Sequence, residues 1–296
     1  MAHSDTYYVG IDGGGTRCRA KVFDQTGRCL GLAESGGANV ASSIETSKLA
    51  LIDVINKVLV DAGLENTVNL KEVHVAGGFA GANLPSAHQA LKNWQHPFKS
   101  FKFTSDLYTA IIGAHTGKDG ALLIVGTGSC AASWHKNKLT QYGGHGFILG
   151  DKGSGAWLGK QAVIHTLESL DGVLHSASFS QRVCQHLQLF TAEDLTDRFH
   201  AAPPAWFGEL APLIFRLAEE GDKTALSVIK DGANYLSNIA RKALANGERR
   251  LALCGGAANS IRHYLHKDVR DTIVPIARGP EWAAVHLFYR NKCRLE

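Results

Sequence analysis

The sequence has 296 residues, of which 45% are hydrophobic and 20% are charged, and these values fit a water-soluble α/β protein of one or two domains. Its net charge of +4 is small and its Lys and Arg residues are dispersed, so we expect no nucleic-acid partner. The longest apolar runs are too short to cross a bilayer, so we expect no membrane partner either.

Residues 1–5 lack the basic patch and the apolar stretch of a secretion signal, which predicts a cytoplasmic protein with reduced thiols. The six cysteines are scattered singly, at positions 18, 29, 130, 184, 254 and 293. Structural zinc and iron–sulfur sites use closely spaced cysteines instead. We therefore interpret these residues as thiols that hold no metal.

The first part of the chain predicts elements in the order βββαβαβα. In chain order they are strands at 7–12, 18–23 and 29–33, a helix at 44–63, a strand at 72–76, a helix at 84–94, a strand at 101–104 and a helix at 107–115. The first three strands form a meander, because a turn at 24–27 joins the second strand to the third.

Near residue 120 the pattern begins again with a second meander. The predicted elements are strands at 121–125, 130–135 and 139–142, helices at 156–170, 178–187, 192–199 and 224–245, a strand at 251–254 and a last helix at 281–289. The repetition implies two related α/β halves. We expect one domain at 1–115 and another at 116–280, with the terminal segment, about 281–296, packing back on the first.

A glycine turn lies between the first two strands of each half, at residues 13–16 and 126–129. Such a turn lets backbone N–H groups approach anionic oxygens, and a Thr or Ser hydroxyl adds a donor. The dinucleotide-binding fingerprint is not met, because the first turn leads into a strand, and the Gly-Lys-Ser/Thr phosphate loop is missing. A tight hairpin turn without a ligand explains either turn alone equally well. Two turns at equivalent positions favour phosphate binding, and we expect them to face one cleft.

Three segments, 9–16, 126–129 and 254–258, together resemble the two phosphate motifs and the adenosine motif of actin-like sugar kinases. The chain resembles the BadF/BadG/BcrA/BcrD ATPase family, which holds N-acetylglucosamine kinases, bacterial glucosamine kinases and the ATPases that activate acyl-CoA reductases and dehydratases. It is most similar to the glucosamine kinases. The resemblance implies two actin-like, ribonuclease H-like domains around a central cleft. It also implies an enzyme that converts glucosamine to glucosamine 6-phosphate with ATP and Mg²⁺.

The resemblance also implies roles for single residues. The residues expected to bind ATP are Gly13, Gly14, Gly15, Thr16, Gly126, Thr127, Gly128, Ser129, Gly255 and Gly256. Asp106 is implied as the catalytic base that accepts the proton of the sugar hydroxyl, and Asp12 as the carboxylate close to Mg²⁺. Asn39 and Asp151 are implied as ligands of the sugar, together with Asp106.

Each of these polar residues also has a local explanation. Asp106 and Asp151 each fit the N-cap of a helix, and Asn39 fits a turn. One position departs from the resemblance, because N-acetylglucosamine kinases carry Asn directly after the second glycine turn, where this chain has Cys130. A thiol is a weak hydrogen-bond partner, which favours glucosamine over the acetylated sugar.

Three other classes of protein stay open at this point, besides an N-acetylglucosamine kinase. Reductase-activating ATPases bridge an iron–sulfur cluster with cysteines, and the cysteine spacing here disfavours them. Filament-forming or chaperone-like ATPases usually carry added domains. The repressor and kinase family with a structural zinc has a compact cysteine-rich loop that this sequence lacks. The expected partners are therefore a small sugar and ATP, and a homodimer stays open.

Overall fold

The computed structural model describes residues 6–174, 177–245 and 249–295. Residues 1–5, on which the expectation about secretion rests, lie outside the described residues, and so does the last residue of the expected terminal segment. The chain folds into two compact units. The first unit runs to Lys118 and resumes at Ile276, whereas the second is continuous from Asp119 to Pro275.

The first unit begins with a five-stranded sheet and three helices. Its elements are β1 (Tyr7–Gly13), β2 (Arg17–Phe23), β3 (Cys29–Gly36), α1 (Ile44–Asp61), β4 (Val73–Phe79), α2 (Pro85–Lys92), β5 (Ser100–Ser105) and α3 (Asp106–His115), with a 3-10 turn at Leu70–Glu72. The strand order is β3-β2-β1-β4-β5, with β2 antiparallel to β1 and β3, and β1, β4 and β5 parallel to one another. Val9 and Ile11 of β1 share an apolar cluster with Leu51 and Ile55 of α1. This element order agrees with the sequence.

The second unit repeats the sheet and adds helices. Its elements are β6 (Gly120–Val125), β7 (Ser129–His135), β8 (Lys138–Gly143), α4 (Gly155–Leu170), α5 (Ala177–Leu187), α6 (Ala192–Phe199), α7 (Pro204–Gly208), α8 (Ala211–Glu219), α9 (Lys223–Leu244), β9 (Leu251–Cys254), α10 (Ala258–Arg262), α11 (Lys267–Arg270) and β10 (Ile273–Val274). The order β8-β7-β6-β9-β10 has the same pairing directions as the first sheet. The two α/β halves that the repeated meander implies are therefore present.

The last helix, α12 (Pro280–Tyr289), packs on the first unit. It lies against the face of the sheet that carries Gly10, opposite the face that meets α1, because alternate residues of a strand point to opposite faces. The Tyr289 hydroxyl donates to the carbonyl oxygen of Val75 at 3.2 Å and lies 2.7 Å from Ser100 Oγ. These bonds fix the end of α12 to β4 and β5.

Replacing Gly10 with Ala should destabilise the first unit. A methyl group at this position would overlap the backbone carbonyl of Glu281, so α12 would have to move away from β1. We expect the free energy of unfolding to fall by about 1–3 kcal/mol, as for other overpacked cores. Urea unfolding measures the change. Gly36→Ala is the matched control, because an added methyl group at Gly36 in β3 meets no atom within 4 Å. Equal losses in the two variants would contradict close packing of α12 on Gly10.

Candidate active site

Two carboxylates lie at one edge of the first sheet. Asp12 is near the end of β1, and Asp106 directly follows Ser105, the last residue of β5. The register pairs Asp12 with Gly78 of β4, and Phe79 of β4 with Ser105. Because β1, β4 and β5 are parallel, their carboxyl ends bring both acids to the same edge, separated by the glycines of β4.

The surroundings of both acids raise their pKa values. Burial is the largest cause of the rise in the pKa of Asp12 to about 7, followed by the charges of Glu281 and Asp106, while Arg19 and Arg17 lower it. Burial also raises the pKa of Asp106, against the hydrogen bond from the Leu107 N–H, which lowers it. A cation bound at this edge would lower both pKa values, because it favours the charged form of a carboxyl group.

Ser105, and not Asp106, is the N-cap of α3. The Ser105 Oγ accepts a hydrogen bond from the Tyr108 N–H at 3.3 Å, and Asp106 is the first residue of the helix. Its Oδ1 accepts from the Leu107 N–H at 2.8 Å. The alternative explanation of Asp106 as a cap is therefore wrong, and the second carboxylate oxygen is available for other contacts.

The first glycine turn is held tightly at its base and is exposed at its tip. The Gly14 N–H donates to the Arg17 carbonyl at 2.9 Å, and the Gly14 carbonyl accepts from the Ala38 N–H at 2.8 Å. A side chain at Gly13 would overlap the ring of Phe79, whereas one at Gly15 would meet no atom within 4 Å. Packing explains the glycine at 13. At 15 the missing side chain leaves the backbone open to a ligand.

Asn39 lies near the same edge and also makes a turn. Its Oδ1 accepts from the Ala41 N–H at 3.0 Å, so the turn expected as the local alternative is present. The next residue, Val40, donates its N–H to the carbonyl of Ala80, whose own N–H donates to the carbonyl of Gly13. This chain of bonds ties Asn39 to the first glycine turn, and its amide NH₂ can still donate to a ligand.

In the second unit, the second glycine turn and the predicted adenosine motif are neighbours. Both follow parallel strands, β6 and β9, and the Ala257 N–H donates to the carbonyl of Val125 at 2.9 Å. Gly255 has a φ of +105°, and a side chain there would overlap the Val125 carbonyl. Glycine is therefore required at 255.

The two hydroxyls of the second turn, those of Thr127 and Ser129, lie in different surroundings. The Ser129 Oγ donates to the carbonyl of Lys152 at 2.9 Å, and Ser129 is buried. Thr127 is exposed at the tip of the turn. The hydroxyl of this turn that a ligand can reach is therefore that of Thr127, a distinction that the sequence motif alone does not make.

Asp151 lies against the second turn in a strained conformation. Its φ is +57°, in the left-handed region that costs a non-glycine residue about 1–2 kcal/mol. A side chain at Gly128 would lie 2.8 Å from Asp151 Oδ2. Burial raises the pKa of Asp151, opposed by hydrogen bonds from the Ser129 and Gly146 N–H groups and by the charge of His145. Strain that tertiary structure maintains around a carboxylate is typical of a functional site.

The local explanation of Asp151 as a helix cap is wrong. The N-cap of α4 is Ser154, whose Oγ accepts from the Trp157 N–H at 3.1 Å. Asp151 precedes it by three residues.

Burial, followed by the charges of Asp151 and Cys130, raises the pKa of Tyr235 in α9, which places that phenol near both. Tyr235 is a candidate site residue that the sequence did not predict.

Two further charged groups near Asp12, at the same edge of the first sheet, were not predicted. Glu281 of α12 is buried, and its charge contributes to the raised pKa of Asp12. Arg19 is the register partner of Asp12 on β2 and forms an ion pair with Glu34 at 2.8 Å. The alternation of Arg17 and Arg19 along β2 was a usable signal, because it places both on the face of Asp12. Glu281 gave no such signal, since it comes from the other end of the chain.

Neither a closed metal site nor a membrane span is seen in the described residues. Within residues 6–174, 177–245 and 249–295, no three His, Cys, Asp or Glu side chains are placed to hold a metal ion. The helices of this part of the chain are all too short or too polar to cross a membrane. Mg²⁺ still fits the first edge, because Asp12 offers an oxygen ligand in a negatively charged setting and nucleotide phosphates and water can supply the rest.

Comparison with known proteins gives the family. The model of the BadF/BadG/BcrA/BcrD ATPase family matches residues 9–285. This chain belongs to that family. Its members use ATP, and the family predicted from the sequence is confirmed.

Individual relatives agree with this assignment. The chain is 33% identical over 268 residues to the glucosamine kinase GspK of Vibrio cholerae, which covers 90% of each chain. It is 28% identical to an N-acetyl-D-glucosamine kinase of Dictyostelium discoideum, over 80% of this chain and 78% of the relative. A crystal structure of a Chromobacterium violaceum protein put forward as an N-acetylglucosamine kinase superposes with a TM-score of 0.89 at 27% identity, over 95% of this chain and 98% of the other.

A more distant structure shares the fold alone. A glucokinase of the ROK family from Streptomyces griseus superposes with a TM-score of 0.54 at 15% identity, over 94% of this chain and 97% of the other. With the two five-stranded sheets, this likeness confirms the predicted α/β fold class of two actin-like domains.

Proposed function

We propose that this protein is an ATP-dependent hexosamine kinase that phosphorylates glucosamine at its 6-hydroxyl. The observation that carries the proposal is the half-buried Asp106, which has a raised pKa and lies at the same edge of the first sheet as Asp12 and the first glycine turn. Glucosamine kinase and N-acetylglucosamine kinase relatives over most of the chain support the substrate class.

Asp106 acts in the proposal as the general base. Its carboxylate accepts the proton of the sugar 6-hydroxyl as that oxygen attacks the γ-phosphorus of ATP, while the bond from phosphorus to the ADP oxygen breaks. A raised pKa makes the carboxylate a stronger base, which suits this step. Most of the rate acceleration in phosphoryl transfer comes from positioning and charge stabilisation. The two hydrogen bonds that fix the start of α3 hold Asp106 in place for it.

The glycine turns bind the nucleotide in this proposal. Backbone N–H groups at Gly15, Thr16, Thr127 and Gly128 contact phosphate oxygens, with the hydroxyls of Thr16 and Thr127 as further donors. The N–H groups of Gly14 and Gly126 instead close their own turns, by donating to the carbonyls of Arg17 and Gly128. Gly255 and Gly256 lie against the adenosine. Asp12 would hold Mg²⁺, mostly through coordinated water, and the metal would offset the negative charge of the phosphates. Burial raises the pKa of Asp12, and a bound cation would lower that pKa and favour the charged carboxylate.

The proposal assigns three side chains to the sugar. Asn39 donates from its amide, and Asp106 and Asp151 accept from hydroxyls. The amine of glucosamine is largely cationic at neutral pH, and Asp151 offers it a buried opposite charge. Cys130, half-buried beside the second turn, offers an acetamido group only weak hydrogen bonding.

The test of the proposal is a comparison of kcat/KM for glucosamine, N-acetylglucosamine and glucose at saturating Mg-ATP. We expect glucosamine to have the highest value. If N-acetylglucosamine exceeds it by more than about tenfold, equivalent to 1.4 kcal/mol of transition-state binding, the enzyme is an N-acetylglucosamine kinase instead. Hydrolysis of ATP that no sugar stimulates would contradict a kinase altogether and favour a reductase-activating ATPase.

Location and assembly belong to the same proposal. We place the enzyme in the cytoplasm, where ATP is available and thiols stay reduced. Sedimentation velocity distinguishes a monomer from a homodimer.

A further inference from the structure

Tyr235 of α9 has no assigned part in the proposed reaction, although it lies close to the candidate sugar ligand of the second unit. Helix α9 packs on the loop that carries Asp151, because a side chain at Gly232 would overlap the backbone of Gly153. Tyr235 follows Gly232 by three residues and therefore lies on the same side of the helix. It is half-buried and lines a pocket of about 320 Å³, together with the two residues that flank Asp151 in the chain.

A pair of glycines where β8 ends brings the Tyr235 hydroxyl next to Cys130. Gly143 and Gly144 have φ values of +71° and +72°. A side chain at Gly143 would lie 2.8 Å from the Tyr235 hydroxyl oxygen, and one at Gly144 would lie 2.9 Å from Cys130 Cβ. Gly143 is also the register partner of Cys130. The phenol and the thiol-bearing residue therefore approach the same short stretch of backbone.

The Asp151 carboxylate is bonded to the chain on either side of this stretch. It accepts hydrogen bonds from the N–H groups of Ser129, directly before Cys130, and of Gly146. Burial is the largest cause of the raised pKa of Tyr235, and the charges of Asp151 and Cys130 come next. The phenol, the carboxylate and the thiol thus lie close to one another within the second unit.

The Tyr235 hydroxyl is available to a ligand. It makes no hydrogen bond in the part of the chain that the structure describes. Because its pKa is raised, the phenol is protonated at neutral pH, so its oxygen can accept a hydrogen bond and its O–H can donate one. Removing this hydroxyl should therefore cost the folded protein little.

We propose that Tyr235 is a specificity-determining residue that recognises the group on carbon 2 of the sugar. The inference rests on the proposed function, in which Asp151 binds the ammonium group of glucosamine. The Tyr235 oxygen accepts another N–H of the same ammonium group. Hydrogen bonds to charged groups are stronger than those between neutral groups. An acetamido group has one N–H and no charge, and its acetyl carbons need space beside the ring, so Tyr235 favours the amine.

The variant Tyr235→Phe tests the proposal, because it removes the hydroxyl and keeps the ring. We expect KM for glucosamine to rise by about 10–100-fold with kcat nearly unchanged, because the bond is made equally in the ground state and the transition state. 2-Deoxyglucose has no polar group on carbon 2, so its inhibition constant against glucosamine should not change. The KM for ATP should not change either.

Tyr264→Phe is the matched control. Tyr264 is also half-buried in the second unit, but it does not line the pocket, and it packs near Phe215 with the ring centroids 6.3 Å apart. The control should leave all of these constants unchanged. Urea unfolding should give both variants the stability of the wild type, which separates a loss of sugar binding from a loss of the fold.

Three results would overturn the proposal. One is a Tyr235→Phe protein whose KM for glucosamine equals that of the wild type. Another is an equal loss for glucosamine and 2-deoxyglucose, which would mean that Tyr235 shapes the pocket without contacting the group on carbon 2. The third is a variant that unfolds, which would show that the hydroxyl is structural. A wild type that phosphorylates no sugar contradicts the proposed function itself, so the two failures are distinguishable.

Discussion

Replacing Asp106 with Asn is expected to lower kcat by about 10²–10⁴, the usual loss for a general base. The amide has nearly the same shape and keeps an oxygen that can accept from the Leu107 N–H, but it cannot take the hydroxyl proton. A coupled ADP assay with glucosamine measures the loss. Asp222→Asn is the control, because Asp222 is the N-cap of α9 and Asn is an equally good N-cap. It should leave kcat unchanged.

The stability of the same variant separates catalysis from folding. Burial raises the pKa of the Asp106 carboxyl, so its charge costs folding free energy above the folded-state pKa, and this cost disappears below the unfolded-state pKa. Asn carries no charge, so the free energy of unfolding at neutral pH should be unchanged or higher. A variant that keeps near-normal turnover would contradict the role of Asp106 as base, and one that unfolds would show that the carboxylate is structural.

Replacing Asp151 with Asn is expected to reduce kcat/KM for glucosamine by about 10²–10³, because removing one partner of a buried charge pair costs about 2–5 kcal/mol. Asn tolerates the left-handed backbone that Asp151 adopts, so the fold should be kept. Glucose has no ammonium group, and its kcat/KM should fall much less. The comparison of the two sugars in the variant and in the wild type is the measurement.

The control variant for Asp151→Asn is Asp171→Asn. Asp171 is an exposed residue at the end of α4 in the same unit. It should change neither sugar. Equal losses for glucose and glucosamine in Asp151→Asn would mean that Asp151 recognises hydroxyls only. The preference for an amine would then need another explanation.

The sheets could be predicted from the sequence because their strands are short, apolar and separated by strong turn signals. A turn from Asp24 to Gly27 follows β2. Between β7 and β8, Lys136 and Asn137 both adopt the positive φ of a tight hairpin. The short elements α7, α8, α10, α11 and β10 were not predicted. Pro203 and Pro204 interrupt the pattern at the start of α7, and a helix of five residues is too short to show a periodicity.

The sequence predicted which backbone segments form the candidate site better than it predicted the contacts of their side chains. A glycine or an aspartate in a motif shows where a ligand can approach, but not which hydrogen bonds its neighbours make. The Ser129 hydroxyl is bonded to Lys152, and Ser105 takes the capping role that Asp106 could have filled. Glu281 and Tyr235 reach their positions through tertiary packing, which no local pattern encodes.

The discontinuity of the first unit has a consequence during synthesis. Strands β1 to β5 leave the ribosome early, but the helix that covers Gly10 is translated only after the whole second unit. Domains usually fold in order from the amino terminus as they emerge. Here the order is reversed in part, because the second unit can complete its core first while the part of the nascent first sheet around Gly10 still lacks α12. Until α12 arrives, that part of the sheet is exposed to chaperones and to aggregation.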